Sequence, residues 1–305
     1  MLLTRLLIAA CLLALGACSV LGPAPAPSLP VQVQPLASPA SEPAPPRVLK
    51  PPRVGLALGG GAARGFAHIG VIQVLEENGI RPDLVVGTSA GSLVAALYGS
   101  GKNGQEMARL AETMDEGAIT DWSFPLRGLI KGEALARYVR AQTGGKTIEQ
   151  AVLPLGIVAT HLADGAGVLF RSGDLGQAVR ASSAVPAVFQ PVEINGKLYV
   201  DGGLHAPVPV RFARHMGAEV VIAIDISSPP KPDVKTDPFS LLMQTVAIMG
   251  RTINLHELRE AELVLRPDLS GVASSDFTAR RQAIAAGRAA AQAALARIKA
   301  AVAPR

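Results

Sequence analysis

The sequence predicts an α/β fold, a three-layer α/β/α sandwich with a mainly parallel central sheet. Three observations carry that expectation. Short apolar runs ending in glycine or polar residues alternate with stretches of helical spacing. Such alternation places parallel strands in one sheet with helices on both faces. No repeat and no second linker interrupts residues 53–300, which read as one domain. With 305 residues, 49% hydrophobic and 17% charged, the chain can bury a sizeable core.

In chain order, the first element is an address. Arg5 supplies a positive start, and residues 6–15 form an apolar run too short to span a bilayer comfortably. The run ends in Leu15-Gly16-Ala17-Cys18, which resembles a bacterial lipobox. Residues 1–17 then read as a lipoprotein signal peptide, and Cys18 as the mature first residue, lipidated on its sulfur and amine. The alternative is an ordinary secretory signal with a cysteine nearby. Ser19, rather than aspartate, after the cysteine directs the expectation to the outer membrane, facing the periplasm. Residues 18–52 are Pro/Ala-rich without a period and read as a tether. At ~3.1 Å per residue it could reach on the order of 100 Å.

The body begins with Val54–Leu58, an apolar run that reads as a buried strand. Residues 64–78 place Phe66, Ile69, Ile72 and Leu75 near helical spacing, with Gly79 as a C-terminal cap. Residues 84–86 are the next strand and 90–98 the next helix. Residues 155–159, 198–200 and 220–226 read as further strands, and the alanine-rich 282–302 as a terminal helix. Residues 239–253, FSLLMQTVAIMGRTI, are apolar on more than one side. The expectation is a buried core helix, with a lid or membrane-touching helix as the alternative.

Composition excludes some functions. The net charge of +5 is modest, and no basic run is interleaved with aromatics, which argues against nucleic-acid binding. Both cysteines, Cys11 and Cys18, lie in the first eighteen residues, so the body has no internal disulfide and no thiol cluster for zinc.

Gly59-Gly60-Gly61-Ala62-Ala63-Arg64-Gly65 follows the first strand and opens a helix. A dinucleotide fingerprint from Gly59 would need glycine where Arg64 stands. A P-loop from Gly60 would need lysine where Phe66 stands. What remains is a loop of unobstructed backbone N–H groups at a helix start, suited to holding a developing oxyanion. Gly87-Thr88-Ser89-Ala90-Gly91 sits between a strand and a helix, the context of a nucleophile elbow. Gly87 and Gly91 must be small for the turn to close and leave the Ser89 hydroxyl free. The bland alternative is a tight turn with an idle serine.

A serine nucleophile ordinarily needs a histidine. The five histidines are His68, His161, His205, His215 and His256, and none stands at an obvious strand-end loop. Each is expected to be structural or on the surface. Asp201-Gly202-Gly203 follows the strand-like Leu198-Tyr199-Val200. A carboxylate there could approach Ser89 directly, and burial would raise its basicity from the ordinary ~3.9. The alternative is a plain Asp-Gly turn.

These blocks carry a resemblance. From about Val54 to Ala300 the chain resembles the patatin-like phospholipases, especially bacterial ones. The resemblance rests on residues 59–65, 87–91 and 201–203, in that order, with Ala181-Ser182-Ser183-Ala184-Val185-Pro186 as a fourth block. It implies a patatin-like sandwich and acyl-lipid hydrolysis, of phospholipase A or lysophospholipase type, without cofactor or metal. By position, Ser89 would be the nucleophile and Asp201 the base. Gly60, Gly61 and Ala62 would supply oxyanion N–H groups, and Arg64 would support their loop. One departure is His161, where many relatives have aspartate in Ala-Thr-Asp-Leu. The implied partners are a phospholipid or other acyl-lipid substrate and a membrane reached through the N-terminal anchor. Rival readings are an idle lipid- or partner-binding scaffold and a soluble-ester or thioester hydrolase.

Overall fold

A computed structural model describes residues 50–115, 130–230, 232–233 and 235–304. The expected signal peptide, Cys18 and the tether through residue 49 lie outside these residues. The eight-stranded sheet contains β1 (Val54–Leu58), β2 (Leu84–Thr88), β3 (Leu155–His161), β4 (Gly167–Phe170), β5 (Val192–Ile194), β6 (Lys197–Asp201), β7 (Val220–Ile224) and β8 (Leu263–Leu265). The order is β5-β6-β3-β2-β1-β7-β8, with β4 also on β3. From β3 to β8 every neighbouring pair along that path is parallel; β4, β5 and β6 pair antiparallel. The mainly parallel sandwich is therefore as the sequence predicts.

Strand alternation sorts the core. In β1, Val54, Leu56 and Leu58 face one side of the sheet and Ala57 the other. All five β1 residues are buried because strands flank both edges and helices both faces. Truncating Leu56 to alanine would cost about 2–5 kcal/mol. The larger core joins that face to α1 (Phe66–Glu77), α2 (Ala90–Gly99), α3 (Gly104–Thr113), α4 (Glu133–Thr143), α5 (Leu175–Ser182) and the terminal helix. The smaller core lies under α6 (Val210–His215).

Helix α1 starts at Phe66, two residues later than expected, because Ala62–Gly65 form a 3-10 turn. Gly79, at φ +70°, ends it. Its N–H donates to the Glu76 carbonyl at 3.0 Å, and that of Ile80 to Leu75 at 2.9 Å, which satisfies two orphaned helix-end carbonyls. The last helix, α8 (Arg280–Val302), crosses α1 at backbone contact. A Cβ at Gly70 would lie 2.0 Å from the Ile284 carbonyl oxygen, and one at Gly287 would lie 2.0 Å from that of Ala67. No side chain fits in that seam.

Helix α7 (Pro238–Glu257) corrects the core-helix expectation. Only Asn254 and Glu257 within it are buried. Phe239, Leu241, Leu242, Ile248, Met249 and Leu255 are between 39% and 57% exposed. Apolar content marked this helix as one that avoids water, but Met243, Val246, Ala247 and Gly250 line a cavity and most of its large apolar side chains stay exposed. Its C-terminal end is held by Asn254 Nδ2 donating to Ser227 Oγ at 3.0 Å and by the buried Glu257 paired with Arg211. Among the described residues no helix is long and apolar enough to cross a membrane.

Register brings the candidate site together. On one edge of β3, Thr88 pairs with Val158, and on the next rung Asp201 pairs with Ala159. The other edge of those rungs belongs to β4. Strands β2 and β6 therefore meet end to end along one edge of β3, from opposite directions.

Candidate active site

Two residues that are 112 positions apart in sequence meet where β2 and β6 end. Ser89 Oγ donates to Asp201 Oδ2 at 2.6 Å. Ser89 sits at φ 52°, ψ −122°, between Thr88 and the first turn of α2. A non-glycine residue held there stores on the order of 1–3 kcal/mol, which the surrounding packing must offset. The elbow glycines explain how. A Cβ at Gly87 would lie 2.3 Å from the Gly91 carbonyl oxygen, and one at Gly91 would lie 2.1 Å from that of Leu58.

Asp201 is buried, with its second oxygen accepting the Gly203 N–H at 2.7 Å. Loss of solvation pushes its carboxyl up to about 6, against the opposing hydrogen bonds from Ser89 and Gly203. Its backbone is fixed on both sides: its N–H donates to Ala184 at 3.0 Å, and its carbonyl accepts Thr160 Oγ1 at 2.9 Å.

The fourth sequence block acts on both residues. Ser182 Oγ accepts the Ser89 N–H at 2.9 Å and donates to the Val158 carbonyl at 2.5 Å. Ala184 holds Asp201, and Val185 and Pro186 line the adjoining cavity. Sequence reasoning noted the block without assigning a role to Ser182. The signal was a small hydroxyl one helical turn before a proline, which spacing alone does not connect to Ser89.

The glycine loop divides. The Gly60 N–H donates to the Pro207 carbonyl at 2.9 Å, so that proposed oxyanion donor is already engaged. Among the described residues, Gly61 and Ala62 have no such bond on their N–H groups, and both line the cavity. Ala62 is held at φ 50°. Arg64 is buried and its Nη1 donates to Ser228 Oγ at 2.6 Å, tying the loop to the segment after β7. Burial pulls its guanidinium below the usual range, with Asp225 acting in the opposite direction. His68, missed as a support, is fully buried; its Nε2 lies 2.8 Å from the Gly59 carbonyl. Desolvation lowers it to about 4, so at neutral pH it is uncharged and Nε2 carries the donated proton.

No histidine is hydrogen-bonded to Ser89 or Asp201 among the described residues. His161 pairs with Asp164 at 2.8 Å, and His205 Nδ1 lies 3.0 Å from the Gly165 carbonyl. His215 and His256 lie in the last turns of α6 and α7. No group of three or more His, Cys, Asp or Glu among the described residues is gathered to hold a metal ion.

Ser89 and Asp201 open onto a cavity of about 760 Å³ at the carboxyl ends of β1, β2 and β7. That end is where open α/β sheets bind ligands, and the volume suits a small-molecule site. Its lining joins apolar side chains, Val185, Leu204, Met243, Val246 and Ala247 among them, to the polar Asp225, Ser227, Asn254 and Arg266.

The chain is similar to known proteins. A family model described as "Patatin-like phospholipase" matches residues 56–214, which contain the glycine loop, Ser89, Ser182 and Asp201. An uncharacterized NTE family protein of Mycobacterium tuberculosis is 38% identical over 179 residues, 58% of this chain and 49% of that protein. The chain thus spans about half the length of these mycobacterial relatives. Human patatin-like phospholipase domain-containing protein 6 is 35% identical over 198 residues, 62% of this chain and 14% of that protein. Among solved structures, VipD from Legionella pneumophila shares the fold with a TM-score of 0.61 at 14% identity, covering 82% of this chain and 68% of that one.

Proposed function

The chain belongs to the patatin-like phospholipase family, and from that premise we propose that it is a lipid acyl hydrolase of phospholipase A or lysophospholipase type. Ser89 is the nucleophile and Asp201 the general base. The observation that carries this reading is the 2.6 Å bond from Ser89 Oγ to Asp201 Oδ2, at a strained elbow facing a largely apolar cavity.

In the proposed reaction Ser89 Oγ attacks the ester carbonyl as its proton passes to Asp201. The tetrahedral oxyanion is held by the free Gly61 and Ala62 N–H groups, aided by the N-terminus of α2. As the carbonyl re-forms, the alcohol or lysophospholipid leaves with the proton from Asp201. Water then attacks the acyl-enzyme, giving its proton to Asp201, and Ser89 departs as the hydroxyl while fatty acid is released. One lost oxyanion donor costs roughly 3–4 kcal/mol in comparable sites. The raised Asp201 value supports the role, because a carboxylate near 6 is a far better base at neutral pH than one at its ordinary value.

We further propose that Cys18 is the lipidated mature N-terminus, holding the domain at the periplasmic face of the outer membrane on the tether ending at residue 52. Two or more acyl chains give stable attachment where a single myristoyl chain does not.

The hydrolase reading is tested with a fluorophosphonate probe and with lipid mass spectrometry on mixed phospholipids. The expected result is covalent labelling that Ser89→Ala abolishes, with release of fatty acid and lysophospholipid. A folded protein that neither labels nor releases fatty acid would be a scaffold. One that labels but spares every phospholipid would be an esterase or thioesterase for other substrates.

A further inference from the structure

Helix α7 has two apolar sides with different surroundings. Met243, Val246, Ala247 and Gly250 line the cavity at Ser89. On the opposite side, Leu241, Thr245, Ile248 and Thr252 recur at spacings of four, three and four, and all are exposed; Leu255, also exposed, continues the series at the cavity's edge. Leu242 and Met249 widen that stripe. An exposed apolar surface of this extent marks an interaction site in a folded domain.

The polar atoms of the stripe favour one kind of partner. Thr245 Oγ1 donates back to the Leu241 carbonyl at 2.8 Å, and Thr252 Oγ1 to that of Ile248 at 3.2 Å. Both hydroxyl protons are therefore satisfied within the helix, and no donor is left on the stripe for a protein surface to match. Its carboxylates are engaged: Asp237 accepts the Ser240 N–H at the N-terminus, and Glu257 is buried against Arg211. Beside the stripe stand Arg251 and Arg259, both exposed, both on the cavity rim, and neither in an ion pair among the described residues. A methyl-covered face flanked by free guanidinium groups matches acyl chains below a layer of anionic phosphates.

We propose that α7 lies in the headgroup–acyl boundary of an anionic phospholipid bilayer and sets the mouth of the Ser89 cavity against it. This surface rests on the lipid-hydrolase reading only for its use. A substrate molecule would then pass from the bilayer along α7 into the cavity without crossing water.

The body contains no cysteine, so a single fluorophore can be placed at will. The test uses the full chain with Cys11→Ala, Cys18→Ala and Ser89→Ala, the last to keep vesicles intact. Nitrobenzoxadiazole is attached at Ile248→Cys, or at Val152→Cys, which is 70% exposed near the amino end of β3 and far from the strand ends at Ser89. With phosphatidylcholine vesicles containing phosphatidylglycerol, the label at position 248 should shift to the blue and brighten several-fold, while that at 152 stays unchanged. Affinity should fall at least tenfold on phosphatidylcholine alone. No shift at 248 on vesicles that carry the protein, equal affinity for both vesicle types, or a shift without vesicles as protein concentration rises (a second copy covering the helix) would each overturn the proposal. In the Ser89 protein, Leu241→Gln with Ile248→Gln should leave p-nitrophenyl butyrate turnover unchanged and lower vesicle phospholipid turnover at least tenfold; equal vesicle turnover also overturns it. Failure of the parent to cleave either substrate would instead refute the hydrolase reading and leave the insertion result standing.

Discussion

Thr88 and Asp201 occupy successive rungs on one edge of β3, opposite Val158 and Ala159, at the ends of strands that run towards each other. The residue after Thr88 is thereby delivered to the Asp201 carboxyl without any loop having to reach across the cavity.

The first prediction concerns that pair. Ser89→Ala, Asp201→Asn and the double variant should lose comparable activity, at least a thousandfold, because the two groups act as a unit. The acid limb of kcat/KM should have a midpoint near the Asp201 value of about 6. Below it the carboxyl is protonated and cannot accept from Ser89. Rates on a chromogenic ester between pH 4 and 8 check this; a limb that tracks a histidine variant instead of Asp201 would overturn it.

The second concerns stability. The folded value of about 6 lies above the ordinary 3.8, so the folded protein holds this proton more tightly than the unfolded chain. The stabilisation is complete below about 3.8 and is lost as pH rises to about 6. At pH 7 the ionised carboxylate then costs on the order of 1–3 kcal/mol. Asp201→Asn should be inactive yet melt a few degrees higher at pH 7, with the gap closing near pH 4. Calorimetry at both values decides it.

Ser182→Ala should lower kcat about tenfold to a hundredfold with KM little changed. It leaves the Ser89 N–H and Val158 carbonyl without their side-chain partner, at a stability cost of about 1–3 kcal/mol. The neighbouring Ser183→Ala serves as the control. Equal kcat in both variants would remove Ser182 from its positioning role.

Gly60→Ala and Gly91→Ala should differ in kind. A Cβ at Gly60 would stand 3.1 Å from Ser89 Cβ, so the serine must shift by tenths of an ångström. That variant should fold and lose activity about tenfold or more. A Cβ at Gly91 would stand 2.1 Å from a backbone oxygen in β1, and that variant should not accumulate as folded protein. Circular dichroism and ester turnover separate the two.

Cys18→Ala should move the protein out of the membrane fraction of cells that export it. A variant that stays with the membrane pellet as fully as the parent would discard the lipid anchor at Cys18, leaving α7 as the membrane contact to test.

The sandwich was legible because buried parallel strands are written as apolar runs, and Val54–Leu58 and the start of β2 match them closely. The edge strands β4, β5 and β8 were not, since three or four residues with one face half-covered leave no run to read. Ser89, Asp201 and the glycine loop stood out through turns that only small residues permit. Which loop N–H groups are free did not: the Gly60 donor is engaged by Pro207, a contact between residues far apart in sequence. For α7, composition reported an aversion to water but not what would replace it.

The seam between α1 and α8 also orders events in time. The glycine loop is made early, yet its Ala63 N–H is held by the Ser274 carbonyl and the helix behind it by Gly287. Synthesis delivers those clamps well after the loop itself. A chain still emerging from the ribosome can carry Ser89 and Asp201 while the loop beside them lacks both holds, so that wall of the cavity is fixed only after residues 274 and 287 have been made and packed.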